Sequence, residues 1–233
     1  MAASGRCVLG IESGREKPSF NDLGIDLCRY RADEELFHRQ QRELAKHFNN
    51  APGPVIDLGC GRGTMLELLT SIGVANYGVE AFPPALQVCR ERGLKVVESD
   101  IFRHLGELED ASTGGVVCSH VIEHLHPPEA LQLVRESYRV LKSGGTLVLV
   151  TPNPKNLLIL TEVFWLDLTH VRFYPARLLD GILREVGFGA VNCYEDKHTA
   201  YGRALHKRIG AFVRHLWLWG FTNRGDVVAV ARK

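Results

Sequence analysis

Apolar positions change their period along this chain, and the change marks its elements. Over residues 31–48, RADEELFHRQQRELAKHF, Leu36, Phe37, Leu44 and Phe48 share one face and charge fills the other. That spacing predicts an amphipathic helix. Asn49-Asn50-Ala51-Pro52-Gly53 breaks it. Beyond the break, short continuous apolar runs alternate with helical ones. Pro54–Leu58 reads as a buried strand and Thr64–Ser71 as a helix with Glu67 outward. Asn76–Glu80 reads as a second strand. Pro83-Pro84 opens a helix that passes Cys89 and Arg92 and stops at Gly93. Leu94–Glu98 and Gly115–Ser119 read as the third and fourth strands. Pro127-Pro128 starts a helix reaching Leu141, which Ser143-Gly144-Gly145 ends, and Thr146–Val150 is a fifth strand. Pro175–Val186 reads as a further helix. Phe188–Tyr194 and Asp226–Ala231 read as a closing pair of strands.

Continuous apolar strands separated by helices of this length predict parallel βαβ units covered on both faces. The fold class is therefore α/β, a doubly wound, Rossmann-like sheet with helices on both faces. Residues 1–30 mix glycine, serine and charge without a period and read as a flexible arm. Residues 31–233 read as one domain, with a helical insertion at 200–221 between the last two strands.

The totals narrow this picture. A chain of 233 residues, 45% hydrophobic, is long enough for a sizeable core. Its net charge of +1 gives no global field toward nucleic acid or membrane. No apolar run is long enough to span a bilayer, and the N-terminus lacks the charged-then-apolar order of a signal peptide. The six cysteines are scattered without C-x-x-C spacing, so a reducing cytoplasm is the expectation.

Chemistry concentrates at strand ends. VIDLGCGRGT, residues 55–64, ends a strand in Gly59, Gly61 and Gly63. Glycine lets backbone approach a ligand closely, and the following helix N-terminus offers free N–H groups. Glu80 ends the second strand about 20 residues on, where a carboxylate can accept ribose hydroxyls. Neither Gly-x-Gly-x-x-Gly nor a P-loop is present, which disfavours a nicotinamide dinucleotide and a phosphate cradle. Asp100 closes the third strand and suits either an adenine amine, with Ile101 packed on the ring, or a helix N-cap.

This series resembles the class I S-adenosylmethionine-dependent methyltransferases. The matching residues are Val55–Gly63, Gly78-Val79-Glu80, Ser99-Asp100-Ile101, the run ending Ser119-His120, and Leu141–Leu147. The resemblance implies a seven-stranded sheet whose last strand is antiparallel, with S-adenosyl-L-methionine as cofactor. By position, Asp57, Gly59, Cys60, Gly61 and Gly63 would hold the methionine end. Glu80 and Ala81 would meet the ribose, Asp100 and Ile101 the adenine, and Ser119 the methyl donor. Residues 151–188 resemble the type 11/12 methyltransferases of O-antigen, other glycan and natural-product pathways. Those often read Asp-Pro-Thr-His-x-Arg where this chain reads Asp167-Leu168-Thr169-His170-Val171-Arg172.

The resemblance implies methyl transfer to a hydroxyl oxygen of a glycan-like or small natural-product acceptor. Orientation and proton removal are then the work required. His120 and His170 are the candidate bases. A second layout puts His120, Glu123 and His124 on one face at i, i+3 and i+4, with His170 joining from the later loop. That donor set suits Zn²⁺, Mn²⁺ or Fe²⁺ more than Mg²⁺. It is similar to the metal site of methyltransferases acting on the terminal 2′-hydroxyl of small RNAs, so a metal-dependent RNA 2′-O-methyltransferase is the alternative enzyme. A non-catalytic, cofactor-binding scaffold is the alternative of another class. Trp165, Asp167, Arg172 and Tyr174 around His170 suit a sugar or another polar ring. The basic, Trp-bearing stretch 201–221 reads as a packed helix, a lid, or a peripheral membrane contact.

Overall fold

The computed structural model describes residues 34–197 and 224–233. The arm at 1–30 and the 200–221 insertion, with its three readings, lie outside the described residues. Seven strands form one sheet: β1 (Val55–Leu58), β2 (Asn76–Glu80), β3 (Val96–Glu98), β4 (Thr113–Ser119), β5 (Leu141–Thr151), β6 (Ala190–Glu195) and β7 (Val227–Arg232). Their order is β3-β2-β1-β4-β5-β7-β6. Neighbours from β3 to β5 pair in parallel, whereas β7 is antiparallel to both β5 and β6. The expected sheet, last strand reversed, is the one observed.

Among the described residues, seven helices flank it: α1 (Glu34–Ala45), α2 (Thr64–Ser71), α3 (Pro83–Glu91), α4 (Ile101–Glu107), α5 (Pro127–Val140), α6 (Leu157–Thr161) and α7 (Ala176–Val186). Every residue of β1 is buried, because alternate side chains feed two cores. Ile56 and Leu58 join Val116, Leu133 and Leu179 under α5 and α7. Val55 joins Leu44, Phe48, Met65 and Val117 under α1 and α2. Strand order reverses between β1 and β4, which opens a crevice at their carboxyl ends.

Three local readings differ from the sequence expectation. Ser143-Gly144-Gly145 does not separate helix from strand. α5 ends at Val140, β5 begins at Leu141, and Gly144, at φ 77°, sits in a bulge where the pairing slips between Thr113 and Gly115. The turn chemistry was visible, but its place inside a strand depends on pairing with β4. A helix, α4, follows Asp100 directly, and the 151–175 connection carries α6 and a 3₁₀ turn at Val163–Leu166. Both helices are short and start on side-chain caps. Asp100 Oδ1 accepts from Phe102 N at 2.8 Å and Arg103 N at 3.1 Å. Asn156 Oδ1 accepts from Leu158 N at 3.1 Å and Ile159 N at 3.4 Å.

Candidate active site

The glycine loop leaves β1 at the crevice. Gly59 has φ 73°, and a Cβ there would lie 2.6 Å from Val121 Cγ2. Gly61 has φ 53° and open space where a Cβ would stand, so its backbone faces the crevice bare. Gly63 caps α2 from behind and does not line the cavity. Glu80 holds the loop. Its Oε2 accepts from Gly61 N at 2.8 Å, and its Oε1 accepts from Ala81 N and Phe82 N at 2.9 Å each. The Cys89 thiol donates to Gly61 O at 3.2 Å.

A cavity of about 980 Å³ begins at this loop. Asp57, Gly59, Cys60, Gly61, Glu80 and Ala81 line its first part, with Asp100 and Ile101 beside them. Ser119, His120, Glu123 and His124 form the middle. Ile159, Val163, Phe164, Leu166, Asp167 and His170 form the far end. Burial, and then the neighbouring Glu80 carboxylate, push the Asp57 carboxyl up to about 7. Burial also raises the Cys60 thiol, which makes it a packing residue and not a nucleophile.

His120 stands at the cavity floor with φ 56°, a left-handed backbone that costs a non-glycine about 1–3 kcal/mol. Its Nδ1 lies 3.3 Å from Glu123 Oε1 and its Nε2 lies 3.4 Å from Asp226 Oδ2. Gln40 of α1 donates to the same Asp226 oxygen at 3.0 Å. Burial disfavours the charged ring, but Asp226 and then Glu123 outweigh it and lift His120 to about 10. At neutral pH the ring is an imidazolium with no lone pair to offer. The expected roles of His120 as base and as metal ligand are corrected on this geometry: its Nδ1 faces Glu123, three residues on, its Nε2 faces Asp226 from the segment before β7, and it is not among the converging donors.

His124 and His170 differ. Their rings lie 4.7 Å apart, centroid to centroid. His170 Nδ1 is 2.6 Å from Phe164 O, a carbonyl that only accepts, so Nδ1 carries the proton. Thr169 Oγ1 lies 2.5 Å from Asp167 Oδ1 and 2.6 Å from His124 Nδ1. Burial, chief among several influences, lowers the His124 pKa from the ordinary imidazole value. Hydrogen bonds from Thr169 hold Asp167 ionised, against its burial. Glu123 is fully buried, and Thr151 Oγ1 donates to its Oε2 at 3.2 Å. Ligand atoms of Glu123, His124 and His170 all fall within 4.8 Å of one another.

Three expected acceptor residues are not among those lining the cavity. Tyr174 is in the core, 1% exposed, with its hydroxyl donating to Leu125 O at 2.8 Å. Arg172 lies over the Tyr174 ring, 5.2 Å from its centroid, and its side chain is exposed. Trp165 is 58% exposed and donates from Nε1 to Leu160 O at 2.9 Å. Only Asp167 of the four reaches the site. The Asp-x-Thr-His-x-Arg stretch turns so that successive side chains diverge, which sequence spacing alone does not encode.

A methyltransferase-domain family model matches residues 29–192. The chain belongs to this family. This methyltransferase is 26% identical to a solved SAM-dependent methyltransferase from Archaeoglobus fulgidus, with TM-score 0.73 over 92% of this chain and 100% of that one. It is 31% identical over 104 residues to a ubiquinone biosynthesis O-methyltransferase of Xanthomonas oryzae pv. oryzae, 42% of this chain and 43% of the relative. The match thus spans under half the length of that relative. A Burkholderia thailandensis 1,6-didemethyltoxoflavin-N1-methyltransferase, solved with its acceptor and S-adenosylhomocysteine, shares the fold at TM-score 0.58 and 16% identity. It covers 84% of this chain and 77% of that one.

The matched region is therefore a class I S-adenosylmethionine-dependent methyltransferase domain. Among the described residues no helix is long and apolar enough to cross a membrane. Sequence reading missed four parts of this site. Asp226 precedes the last strand, and no local pattern links it to His120. Gln40 and Gln41 are polar residues of α1 that turn inward. Gln41 donates to Ser119 Oγ at 3.2 Å, and the burial of both is the signal that was absent from the sequence. Phe164 lines the far end because the 3₁₀ turn aims it there. His126, exposed at the N-cap position of α5, takes no part.

Proposed function

We propose that this methyltransferase transfers the methyl group of S-adenosylmethionine to a hydroxyl oxygen of a small, ring-bearing natural-product acceptor. One observation carries the reading: two imidazoles, His124 and His170, line the cavity beyond the cofactor loop, with their Nδ1 atoms held by Thr169 Oγ1 and Phe164 O. Gly59, Cys60 and Gly61 would hold the methionine end, with Asp57 answering its ammonium. Glu80 and Ala81 would meet the ribose. Asp100 and Ile101 would meet the adenine, using the carboxylate oxygen that does not cap α4. Ser119 would then flank the sulfonium. The acceptor oxygen attacks the methyl carbon in line, a C–O bond forms and the C–S bond breaks. The hydroxyl proton passes to an imidazole Nε2, and S-adenosylhomocysteine leaves neutral at sulfur. Orientation contributes several kcal/mol and the base about 10²–10⁴ in rate.

Ile159, Val163, Phe164 and Leu166 at the far end favour an apolar ring face. The glycan-like half of the expectation came from the resemblance of residues 151–188 and drew on Trp165, Asp167, Arg172 and Tyr174, of which only Asp167 is in the lining. Arg62 and Arg92 are the only lysines or arginines among the described lining residues. That gives little support to an RNA acceptor. The test offers labelled S-adenosylmethionine with catechol, methyl glucoside and small RNA in parallel. Label in a catechol ether is the expected result. Label in RNA overturns the reading, and S-adenosylhomocysteine binding with no transfer to anything returns the scaffold.

Cofactor binding should release a proton. Asp57 stands near 7 in the free protein, and an ammonium against it favours the carboxylate. Affinity should therefore fall, by up to about tenfold per pH unit, as pH drops below 7, and level off above 8. The stability contribution has the opposite sign: it is present below the ordinary carboxylate range and lost as pH rises through 7. Calorimetry in two buffers of different ionisation enthalpy reads the released proton. Asp57→Asn should remove it, and an unchanged proton count in that variant would refute the assignment.

The converging donors of Glu123, His124 and His170 favour a second reading in which a divalent cation, Zn²⁺, Mn²⁺ or Fe²⁺, lowers the acceptor's pKa. These residues would hold it and His120 would not. Metal analysis of purified protein and transfer after chelation decide it. Stoichiometric metal with chelator-sensitive transfer supports the cation, and full transfer by metal-free protein removes it.

A further inference from the structure

Thr169 holds two hydrogen-bond partners with a single hydroxyl proton. Its Oγ1 lies 2.5 Å from Asp167 Oδ1 and 2.6 Å from His124 Nδ1. Asp167 as a carboxylate only accepts, and it also accepts from Thr169 N at 2.9 Å. The Thr169 proton therefore goes to Asp167. Thr169 Oγ1 is then an acceptor toward His124, and His124 Nδ1 must carry its own proton. That leaves the His124 Nε2 lone pair bare in a ring that lines the cavity.

We propose that Asp167 and Thr169 form a relay that sets the tautomer of His124, making His124 the base and Thr169 its positioning residue. The proposal rests on the hydroxyl-transfer reading. His124 is chosen over His170 because its Nδ1 is backed, through one hydroxyl, by an anion. His170 Nδ1 is backed by the neutral Phe164 carbonyl, and its Nε2, the nitrogen that would have to take the proton, already has Asp167 Oδ2 3.9 Å away. When Nε2 takes the acceptor's proton, the new positive charge on His124 is answered along the relay by Asp167, and no bond in the relay has to break. The groups facing His124 are Glu123, Asp167, Thr169 and His170. Neither sequence spacing nor the resemblance assigned Thr169 a role, because its two partners come from two loops 43 residues apart at their nearest, 124 and 167.

The test reads the tautomer directly and needs no acceptor. Imidazole nitrogen NMR is recorded on the full chain in chelator-treated buffer, and the His124 signals are assigned as those lost in His124→Gln. The native protein should show the Nδ1-protonated form. Thr169→Val keeps the side chain's shape and should move His124 largely to the Nε2-protonated form. Thr169→Ser should restore the native signature. Retained S-adenosylhomocysteine binding certifies the fold of each variant. A native Nε2-protonated His124, or a Thr169→Val spectrum like the native one, overturns the relay. So would Thr169→Ser behaving like Thr169→Val. Failure of transfer to any hydroxyl leaves these signals untouched, so the two readings fall separately.

Discussion

Glu80→Ala is expected to weaken S-adenosylhomocysteine binding by about 100-fold or more while the protein stays folded. The Glu80 carboxylate makes three hydrogen bonds to backbone N–H groups, at Gly61, Ala81 and Phe82. It ties the glycine loop to the end of β2 and presents an anion to the crevice. Hydrogen bonds to a charged group contribute about 1.5–3 kcal/mol each. Loss of the two expected from a ribose diol is about 3 kcal/mol at the low end, or about two decades in Kd. Freeing the Gly61 backbone adds to this, since the loop must then be ordered by the ligand. Stability should suffer less, because Glu80 is at the cavity rim and only partly buried. Calorimetric titration and a thermal melt check both halves. A Kd within about threefold of native would show that Glu80 neither meets the ribose nor orders the loop for the ligand.

His124→Gln should lower the rate of transfer by about 10²–10⁴ with S-adenosylhomocysteine affinity unchanged. His124 lines the cavity beside His170, and its Nδ1 is paired with Thr169 Oγ1. Glutamine fills similar space and keeps a polar group for Thr169, but it has no basic nitrogen. The expected signature is a drop in kcat with KM for the cofactor unmoved, the pattern of an interaction made in the transition state. His170→Gln should cost less, since the His170 Nε2 already has Asp167 Oδ2 3.9 Å away and its Nδ1 is held by a carbonyl. Single-turnover measurement with catechol compares them. Equal, small losses in both variants would point away from either imidazole as the proton acceptor.

The sheet was legible because its signals are local. A run such as Val55–Leu58 cannot face water on either side, and Gly-x-Gly-x-Gly after it cannot continue a strand. The residues at strand ends, from Asp57 to Asp100 and on to Ser119, were legible for the same reason: the topology gathers carboxyl ends into one crevice. The charge state of His120 was not legible. It depends on Asp226, 106 residues away, and on Glu123 at a turn whose shape is set by packing. The reading of His120 as a base failed on that neighbour. Tyr174 and Trp165 failed differently. Both are amphipathic aromatics, and a linear pattern does not say which lies in the core and which faces out. Asp100 satisfied both of its readings in part: it caps α4 and still lines the cavity.

The central claim is transfer to oxygen at the imidazole end of the cavity. Its most direct test is the product formed from catechol and methyl-labelled S-adenosylmethionine by native protein and by His124→Gln, identified by NMR of the transferred methyl. An aryl O-methyl signal in the native reaction, reduced at least a hundredfold in the variant, is the predicted result. A methyl on ring carbon, or an O-methyl signal as strong in His124→Gln as in the native protein, would contradict it.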